Sequence, residues 1–347
     1  MVYQIPAEIV NLLLDWYDAN ARLLPWRDDP TPYRVWVSEI MLQQTRVEAV
    51  MPYFERFLRV LPTVQALAEA DEELLLKLWE GLGYYNRVRN MQKAAKIIVE
   101  QYGGALPASP QQLQKLPGIG AYTSGAIASI AFQHKTPAVD GNVLRVLSRL
   151  TSSHRDISDN NVKKETGTAL AAILPDRVGD FNQALMELGA MICLPNGAPK
   201  CLQCPLAQLC LAHLQGIEET LPIKSIKSKR RIEYRTVLLA ICDGKIAINK
   251  RPPTGLLACL WEFPSLEGSL SDCEIRKYLT DRGRPALSVE KAGAAKHVFT
   301  HLEWHMTGYL IQLAEKNTAW TWVSPEELTE QYSIPSAFRA YTDLVTK

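Results

Sequence analysis

The sequence contains no uninterrupted apolar stretch of the length that a transmembrane helix needs, about 20 residues. Residues 1–18 include acidic side chains and no basic leader, so we expect no signal peptide. The net charge is only +1, whereas small nucleic-acid-binding domains are usually strongly basic. These absences predict an intracellular, cytoplasmic protein without a membrane segment. Any contact with a nucleic acid must come from local patches and backbone donors.

Cysteine is also scarce, which excludes a disulfide-stapled scaffold. Only seven cysteines occur in 347 residues, and four of these lie close together, with seven, two and five residues between successive members. Such a cluster indicates a reducing compartment and one metal site, and the spacing alone leaves a Cys₄ zinc site open. The four are Cys193, Cys201, Cys204 and Cys210.

Apolar residues, by contrast, make up 47% of the chain, and its 347 residues predict two domains. Residues 1–216 show helical periods separated by short breaks, without runs of strand-like alternation, which predicts an all-α module. Residues 217–233 are basic and lack a hydrophobic period, so they predict a linker that either neutralises phosphates or serves as a solvated tether. Residues 234–347 change to alternating and apolar runs, which predict an α+β domain.

Within that second domain, Asp243 and Gly244 separate two strand-like runs and predict a tight hairpin. A helix is expected over residues 273–279. The expected strands cover residues 236–242, 245–249, 296–299, 304–312 and 318–323.

A glycine-containing turn occupies residues 116–120, Leu-Pro-Gly-Ile-Gly, before a helix-like run at 123–131. Gly118 and Gly120 let the backbone approach a partner closely and leave amide N–H groups available at the start of the helix. Such an end attracts an anion such as a phosphate. Taken alone, however, the pattern is typical of an ordinary turn.

Two carboxylates have contrasting surroundings. Asp140 precedes the helix-like run 142–150, and we expect the helix N-terminus to keep it ionised. Glu39 lies in the expected helix 32–42 among apolar neighbours, where burial would raise its pKa into the range of a general acid. Taken singly, Asp140 could be a helix cap and Glu39 could lie on a solvated helix face.

In combination these motifs resemble the helix–hairpin–helix DNA glycosylase superfamily that includes endonuclease III. The segments SEIMLQQTRV (38–47) and FNQALMELGAMIC (181–193) are similar to its adenine glycosylase branch, the MutY family, and the resemblance covers nearly the whole chain. It implies a six-helix module at about 29–133 and a cluster module formed by 1–28 and 134–216. It also implies that Glu39 is the catalytic acid and Asp140 the catalytic aspartate, supported by Tyr122 and Asn142.

The resemblance further implies which residues contact DNA. The expected partner of a monomeric enzyme is double-stranded DNA with adenine opposite 8-oxoguanine or guanine, and the adenine is removed by hydrolysis of its glycosidic bond. The hairpin glycines Gly118 and Gly120 would grip the DNA. The adenine pocket would be shaped by Arg22, Trp26, Arg27, Leu42 and Gln183, in part from a segment at 22–27 that we expect to be non-helical. The gap left in the duplex would be filled or braced by Gln44, Thr45 and Tyr84.

Residues 201–210 resemble the [4Fe–4S] cluster loop of the same group, which favours an iron–sulfur cluster over zinc. The family usually has six residues between its first two ligands, whereas this chain has seven between Cys193 and Cys201. We expect the four thiolate ligands to be retained and the loop between those two cysteines to be reshaped where it would touch the DNA backbone.

The C-terminal domain resembles that of the MutY family, which is itself similar to the Nudix hydrolases. An acidic metal-binding signature is absent after Gly255, so we expect binding rather than nucleotide hydrolysis. Phe299, Thr300 and His301 align with the family's Phe-Ser-His loop, which recognises 8-oxoguanine. Thr300 replaces the serine but keeps the hydroxyl.

Two other functions are open. An endonuclease III-like glycosylase with lyase activity would need a lysine amine for a Schiff base. In that branch the lysine stands where this chain has Tyr122, and the hairpin helix contains no lysine. A non-catalytic iron–sulfur protein could use the hairpin and the cluster to bind DNA, but it would have no use for Glu39 and Asp140 together.

Overall fold

The computed structural model describes residues 4–225 and 229–346. They group into two compact units. The first comprises Met1–Ala70 and Arg87–Ile226, and the second comprises Asp71–Asn86 and Lys227–Lys347. The segment Asp71–Asn86, which the sequence places in the helical domain, thus groups with the C-terminal residues. Lys227, part of the expected basic linker, lies outside the described residues.

Residues 4–225 are helical and contain no β-strand. Helix α6 belongs to the second unit and the other helices belong mainly to the first. The helices are α1 Ile9–Asn20, α2 Pro25–Asp28, α3 Pro32–Leu42, α4 Val47–Val60, α5 Val64–Glu69, α6 Glu72–Leu78, α7 Asn86–Tyr102, α8 Pro110–Leu113, α9 Ala121–Phe132, α10 Gly141–Leu150, α11 Asn160–Ala171, α12 Val178–Met191 and α13 Leu211–Leu214. None of the helices in the described ranges is both long and apolar enough to cross a bilayer.

Two local expectations for this part of the chain were wrong. The segment at 22–27 is not wholly non-helical, because α2 begins at Pro25, whose fixed φ suits the first position of a helix. The second expectation is that the proline in the sequence 47–60 interrupts the helix near Pro52, whereas α4 continues unbroken from Val47 to Val60. Pro52 lies in the second turn of α4, so only one hydrogen bond of the helix is lost there.

The core of the first unit fixes the helices that carry the candidate site. Ile9 and Leu13 of α1 pack with Leu147 of α10 and Phe181 of α12, and all four are fully buried. Gly125 permits a close contact between α9 and the segment before α10, since a Cβ there would lie 2.3 Å from the carbonyl oxygen of Pro137. The start of α10 is therefore held from two sides.

The second unit is built on a seven-stranded mixed sheet among the described residues, in the order β3-β2-β1-β6-β5, with β4 on β1 and β7 on β2. Strands β1 and β6 are parallel, and the other pairs are antiparallel. The strands are β1 Arg231–Cys242, β2 Lys245–Lys250, β3 Trp261–Glu262, β4 Ser265–Glu267, β5 Ala286–Val298, β6 Leu302–Leu313 and β7 Thr321–Val323. The helices that accompany them are α14 Asp272–Thr280, α15 Pro325–Glu330 and α16 Arg339–Val345.

Both faces of this sheet are buried. Val237 and Leu239 of β1 belong to one apolar cluster, and Leu238 and Ala240 belong to another on the opposite face. The hairpin between β1 and β2 is confirmed, with Asp243 and Gly244 both at positive φ (48° and 70°). Strand β5 is longer than expected, because the sequence indicated a strand only from residue 296.

Helix α6 is tied to the C-terminal residues of the second unit by polar contacts. Lys77 Nζ donates to the carbonyl oxygens of Thr329 (2.5 Å) and Tyr332 (3.1 Å). Glu80 Oε1 accepts from the amide of Ile334 at 2.9 Å. These contacts join the segment Asp71–Asn86 to the C-terminal part of the second unit.

Candidate active site

A cavity of about 820 Å³ in the first unit is lined by both predicted catalytic carboxylates, Glu39 and Asp140. They come from different helices and approach the same space. Most of the other pocket residues predicted from the sequence line the cavity as well. These are Arg22, Trp26, Arg27, Leu42, Gln44, Thr45, Tyr122, Asn142 and Gln183.

Glu39 lies in the last turn of α3 and is only 6% exposed. The hydroxyl of Tyr122 donates to Glu39 Oε2 at 2.5 Å. Burial raises the pKa of Glu39 from 4.5 to about 7, which is the direction expected from its apolar neighbours. The Tyr122 hydrogen bond lowers that pKa and the charge of Asp140 raises it. Glu39 can therefore carry a proton near neutral pH.

Asp140 is the N-cap residue of α10. Its Oδ1 accepts from the amide of Val143 at 2.7 Å, and its Oδ2 accepts from Asn142 Nδ2 at 2.7 Å. Both oxygens act as acceptors, which suits an ionised carboxylate. The net pKa of Asp140 is nevertheless raised, and the expectation that the helix N-terminus keeps this carboxylate ionised stays a prediction. Burial outweighs the hydrogen bonds, which lower the pKa.

Asn142 is itself held in place. Its Oδ1 accepts from Arg145 Nη2 at 2.9 Å, and the same nitrogen donates to the carbonyl oxygen of Gly189 at 2.8 Å. Arg145 Nε donates to the carbonyl oxygen of Cys193 at 2.8 Å. A Cβ at Gly189 would lie 2.6 Å from Asn142 Cβ, so α12 can approach Asn142 this closely only because residue 189 is a glycine.

The polar wall of the cavity contains a residue that the sequence reasoning missed. Glu187 is buried, and its carboxylate binds Arg22 Nε at 2.7 Å and Arg27 Nη2 at 2.9 Å. Arg27 Nε also donates to Gln183 Oε1 at 3.1 Å. Although burial opposes ionisation, the two arginines hold the pKa of Glu187 at about 2. The available signal was helical spacing, since Glu187 follows Gln183 by one turn of α12.

Apolar residues form other parts of the wall. Trp26 is 6% exposed and packs edge-on against Phe54, with ring centroids 5.3 Å apart. Leu24 and Leu42 also line the cavity. A flat heterocycle could therefore lie against apolar side chains while its polar edges meet the charged groups.

The hairpin glycines are not among the residues that line the cavity. Gly118 has φ +79°, and a Cβ there would lie 2.8 Å from Asn90 Cβ, so both conformation and space require glycine. Gly120 is the N-cap residue of α9, and no side chain caps that helix start. This is the geometry in which backbone amides bind an anion.

The expected lesion-recognition loop lies in the second unit. The ring of Phe299 packs against Trp304 at 4.9 Å between centroids. Thr300 Oγ1 lies 3.0 Å from the hydroxyl of Tyr84, which is 52% exposed. The carbonyl oxygen of His301 accepts from the amide of Arg231 at 3.2 Å. The structure thus brings Tyr84 and Thr300 together, two residues that the sequence assigned to separate tasks.

The four clustered cysteines line one small cavity despite the seven residues between the first two. Arg149 Nη1 lies 3.2 Å from Cys193 Sγ and also donates to the carbonyl oxygen of Leu194 at 2.9 Å. Burial raises the pKa of Cys201 to about 11 and that of Cys204 to about 12. Four sulfurs around one space, with a buried cation beside them, fit a thiolate-bound metal centre.

Residues 37–171 match the family described as HhH-GPD superfamily base excision DNA repair protein, and residues 236–344 match the family described as NUDIX domain. The fold and the cavity therefore define a helix–hairpin–helix base excision DNA repair enzyme with a Nudix-like C-terminal domain. The predicted fold class, a helical glycosylase domain followed by a Nudix-like α+β domain, is confirmed.

Two curated relatives are particularly informative. The chain is 36% identical to the adenine DNA glycosylase of Mus musculus, over 95% of this chain and 77% of that protein. It is 35% identical to the adenine DNA glycosylase of Buchnera aphidicola subsp. Schizaphis graminum, over 88% of this chain and 87% of that protein. The solved structure of a thermostable thymine-DNA glycosylase matches with a TM-score of 0.55 and 27% identity, over 60% of this chain and 96% of that chain.

The chain belongs to the family of adenine DNA glycosylases. It is a DNA-binding enzyme of base excision repair that removes adenine. The predicted family and enzyme class are therefore confirmed.

Proposed function

We propose that the enzyme removes adenine paired with 8-oxoguanine or guanine, that it acts by hydrolysis, and that it leaves the DNA strand uncut. One observation carries this proposal: Glu39 and Asp140 line the same cavity but have different hydrogen-bond partners. Glu39 is buried and its pKa is raised to about 7, whereas both oxygens of Asp140 accept hydrogen bonds. Pairs of carboxyl groups held in different protonation states are the usual machinery for cleaving glycosidic bonds.

The target adenine must leave the base stack to reach this cavity, whose volume of about 820 Å³ is ample for a base and its sugar. Protonated Glu39 gives its proton to adenine, at N7 in our proposal, and so converts the base into a neutral leaving group. The bond between the sugar carbon and the base nitrogen then breaks, and its electron pair leaves with the base.

The sugar becomes positively charged in this step. Asp140 stabilises the cation electrostatically or bonds to it, and water completes the hydrolysis. Asn142 holds Asp140 through the bond between Nδ2 and Oδ2, and Tyr122 holds Glu39 through its hydroxyl. Tyr122 and Asn142 thus act as supporting residues, as the resemblance implies.

The charged wall suits adenine. Adenine presents both donor and acceptor groups on its edges. Arg22 and Arg27 offer donors, and Glu187 and Gln183 offer acceptors, all within one linked network. Trp26 and Leu42 add apolar wall area. We assign recognition of the extruded base to these residues.

The residues that line the cavity support the proposal that the DNA strand stays uncut. No lysine occurs among the described residues lining it, and Tyr122 faces Glu39. A lyase step needs an amine that forms a Schiff base with the sugar. This favours a monofunctional glycosylase over the glycosylase/lyase alternative.

We assign recognition of the opposite strand to residues 299–301 with Tyr84. The hydroxyl groups of Thr300 and Tyr84 are hydrogen-bonded to each other and can bond to the polar edge of 8-oxoguanine. Gln44 and Thr45 would fill the gap left by the adenine. Gly118 and Gly120 would present backbone amides to a phosphate.

A [4Fe–4S] cluster is the metal centre that we propose for Cys193, Cys201, Cys204 and Cys210, with Arg149 beside Cys193. When bound, such a cluster links residues 193–210 into one rigid loop. Iron and sulfide analysis with visible absorption distinguishes it from zinc.

The central test is adenine release under single-turnover conditions from a duplex with adenine opposite 8-oxoguanine. We expect release by the wild-type enzyme and by Glu55→Gln, which changes an exposed carboxylate. Glu39→Gln should bind the duplex normally and slow release by at least about 100-fold. Strand breaks should appear only after alkali. Full activity of Glu39→Gln would refute the assigned acid, and breaks without alkali would favour the lyase alternative.

A further inference from the structure

Arg87, at the start of α7, binds the end of the helix that carries Glu39. Its Nη1 lies 2.8 Å from the carbonyl oxygen of Ile40, 3.1 Å from that of Met41 and 2.7 Å from that of Gln43. One guanidinium nitrogen therefore meets three carbonyl oxygens. All three belong to the last turn of α3 or to the turn directly after it.

These carbonyl groups need such a partner. The last carbonyls of a helix lack an intrahelical donor and lie at the negative end of its dipole. Many helices satisfy them with a glycine in the left-handed conformation, but here the left-handed residue is Gln44, with φ +60°. A side chain at that φ is strained, so the turn depends on contacts from outside.

The turn carries two of the residues assigned to the duplex gap. Gln44 and Thr45 both line the cavity. Arg87 is not among the residues that line it. A second contact supports the same turn, from Gln43 Nε2 to Thr123 Oγ1 at 3.4 Å.

We propose that Arg87 is a positioning residue that shapes residues 43–45 before DNA binds, so that Gln44 and Thr45 can occupy the space vacated by the extruded adenine. This inference rests on the proposed function, because it assumes that the base is extruded into the cavity. Arg87 should then govern how far the base is extruded. The protonation step itself belongs to Glu39 and should not change.

The test uses a duplex with 2-aminopurine in place of the target adenine, opposite 8-oxoguanine, because 2-aminopurine fluoresces when it leaves the stack. Glu39→Gln serves as the background so that no base is released. The equilibrium constant for base extrusion is measured from the fluorescence rise at saturating protein. Adding Arg87→Met should lower this constant by about tenfold, which is the effect of losing one charge-assisted hydrogen bond. Arg87→Lys should restore part of the rise.

The control Arg155→Met removes an arginine from the ion pair with Glu165 and should leave the rise unchanged. Arg87→Met alone should keep the wild-type midpoint of its pH–rate profile, which a general loss of the active-site structure would shift. An unchanged fluorescence rise in the Arg87→Met protein, or a displaced midpoint, would overturn the proposal.

The outcomes also separate this inference from the proposed function. If the Glu39→Gln background gives no fluorescence rise at all, extrusion into the cavity is wrong, and Arg87 has no such role. If Arg87→Met does not fold, Arg87→Gln decides in the same assay. If Arg87→Gln melts at the same temperature as the wild type, a reduced fluorescence rise supports positioning by the guanidinium, and an unchanged rise refutes it.

Discussion

The hydroxyl of Tyr122 donates to Oε2 of Glu39 at 2.5 Å inside a cavity that Asp140 also lines. Burial raises the pKa of Glu39, and the Tyr122 bond partly opposes that rise. The result, about 7, lies in the range that suits a general acid at neutral pH. In the mechanism proposed above, this pair sets the pH range of the reaction.

The excision rate should depend on pH on both sides of neutrality. It should fall as the pH rises through about 7, because Glu39 loses the proton that it must donate. It should also fall in acid, where Asp140, whose pKa is raised, becomes protonated and neutral. Single-turnover rates measured from acid to alkaline pH should give a bell-shaped profile. A rate that stays constant across neutral pH would contradict the role of Glu39.

Replacing the acid should make the protein more stable. Because the pKa of Glu39 is raised from 4.5 to about 7, the folded state loses stability as pH increases through that window. The glutamine of Glu39→Gln carries no charge. The free energy of unfolding of this variant should therefore exceed that of the wild type by up to about 3 kcal/mol at pH 8, and by little at pH 4. Urea unfolding at the two pH values measures the difference, with the exposed Glu55→Gln as the control. Equal stability of Glu39→Gln and wild type at pH 8 would argue against a raised pKa.

Tyr122→Phe should shift the alkaline limb of the pH–rate profile to higher pH. The lost hydrogen bond lowers the pKa of Glu39 in the wild type, so its removal raises that pKa further. Positioning of the acid should also suffer, with a rate loss of about tenfold at neutral pH. The pH–rate profile of Tyr122→Phe is compared with that of Tyr102→Phe, at the end of α7. A shift toward lower pH would show that the hydroxyl has another role.

Glu187→Gln should weaken both the fold and the binding of the target base. Glu187 neutralises Arg22 and Arg27, and its loss leaves Arg22 only the exposed Glu48 at 3.7 Å as an acidic partner. The free energy of unfolding should fall by about 2 kcal/mol, since both arginines are partly exposed. The pKa of Glu187 is lowered to about 2, so its stabilising effect is present above 4.5 and disappears as pH falls through about 2. Denaturant unfolding and substrate dissociation constants check these expectations. The control Glu165→Gln breaks an exposed ion pair with Arg155 and should change little.

Two glycine-to-alanine substitutions in helices should have opposite effects. At Gly125 an added Cβ would lie 2.3 Å from the carbonyl oxygen of Pro137. This overpacking should lower the free energy of unfolding by about 1–3 kcal/mol and disturb the segment leading to Asp140. At Gly167 the nearest atom is Val139 Cγ2 at 3.9 Å, and alanine should stabilise α11 by up to about 1 kcal/mol. Thermal unfolding and excision rates of the two variants test this. A neutral Gly125→Ala would mean that α9 can move away from Pro137.

The sequence predicted those parts of the site that depend on local pattern. The apolar neighbours of Glu39 indicated its burial, and the residues around Asp140 indicated a helix start. The net pKa of Asp140 could not be judged from that pattern, because burial depends on which helices pack around it. Glu187 was missed for a related reason: its partners Arg22 and Arg27 are distant in sequence and meet it only in the folded protein.

In the sheet of the second unit, too, the sequence predicted the features that depend on local pattern and missed those that depend on tertiary contacts. The hairpin at Asp243 and Gly244 was predictable because its turn residues are themselves the signal. Strand β5 was mostly missed, since it pairs on one side with β6 and many of its residues are exposed, which removes the alternation by which strands are predicted.

The attachment of Lys77 and Glu80 to the backbone at Thr329, Tyr332 and Ile334 bears on how this protein can be divided experimentally. Because the second unit combines the internal segment Asp71–Asn86 with the C-terminal part of the chain, a single cut at the basic linker does not yield two whole units. A fragment beginning at residue 227 would lack α6 and the tyrosine that meets Thr300. Fragment studies of lesion binding therefore need residues 71–86 supplied alongside the C-terminal part, or the intact polypeptide.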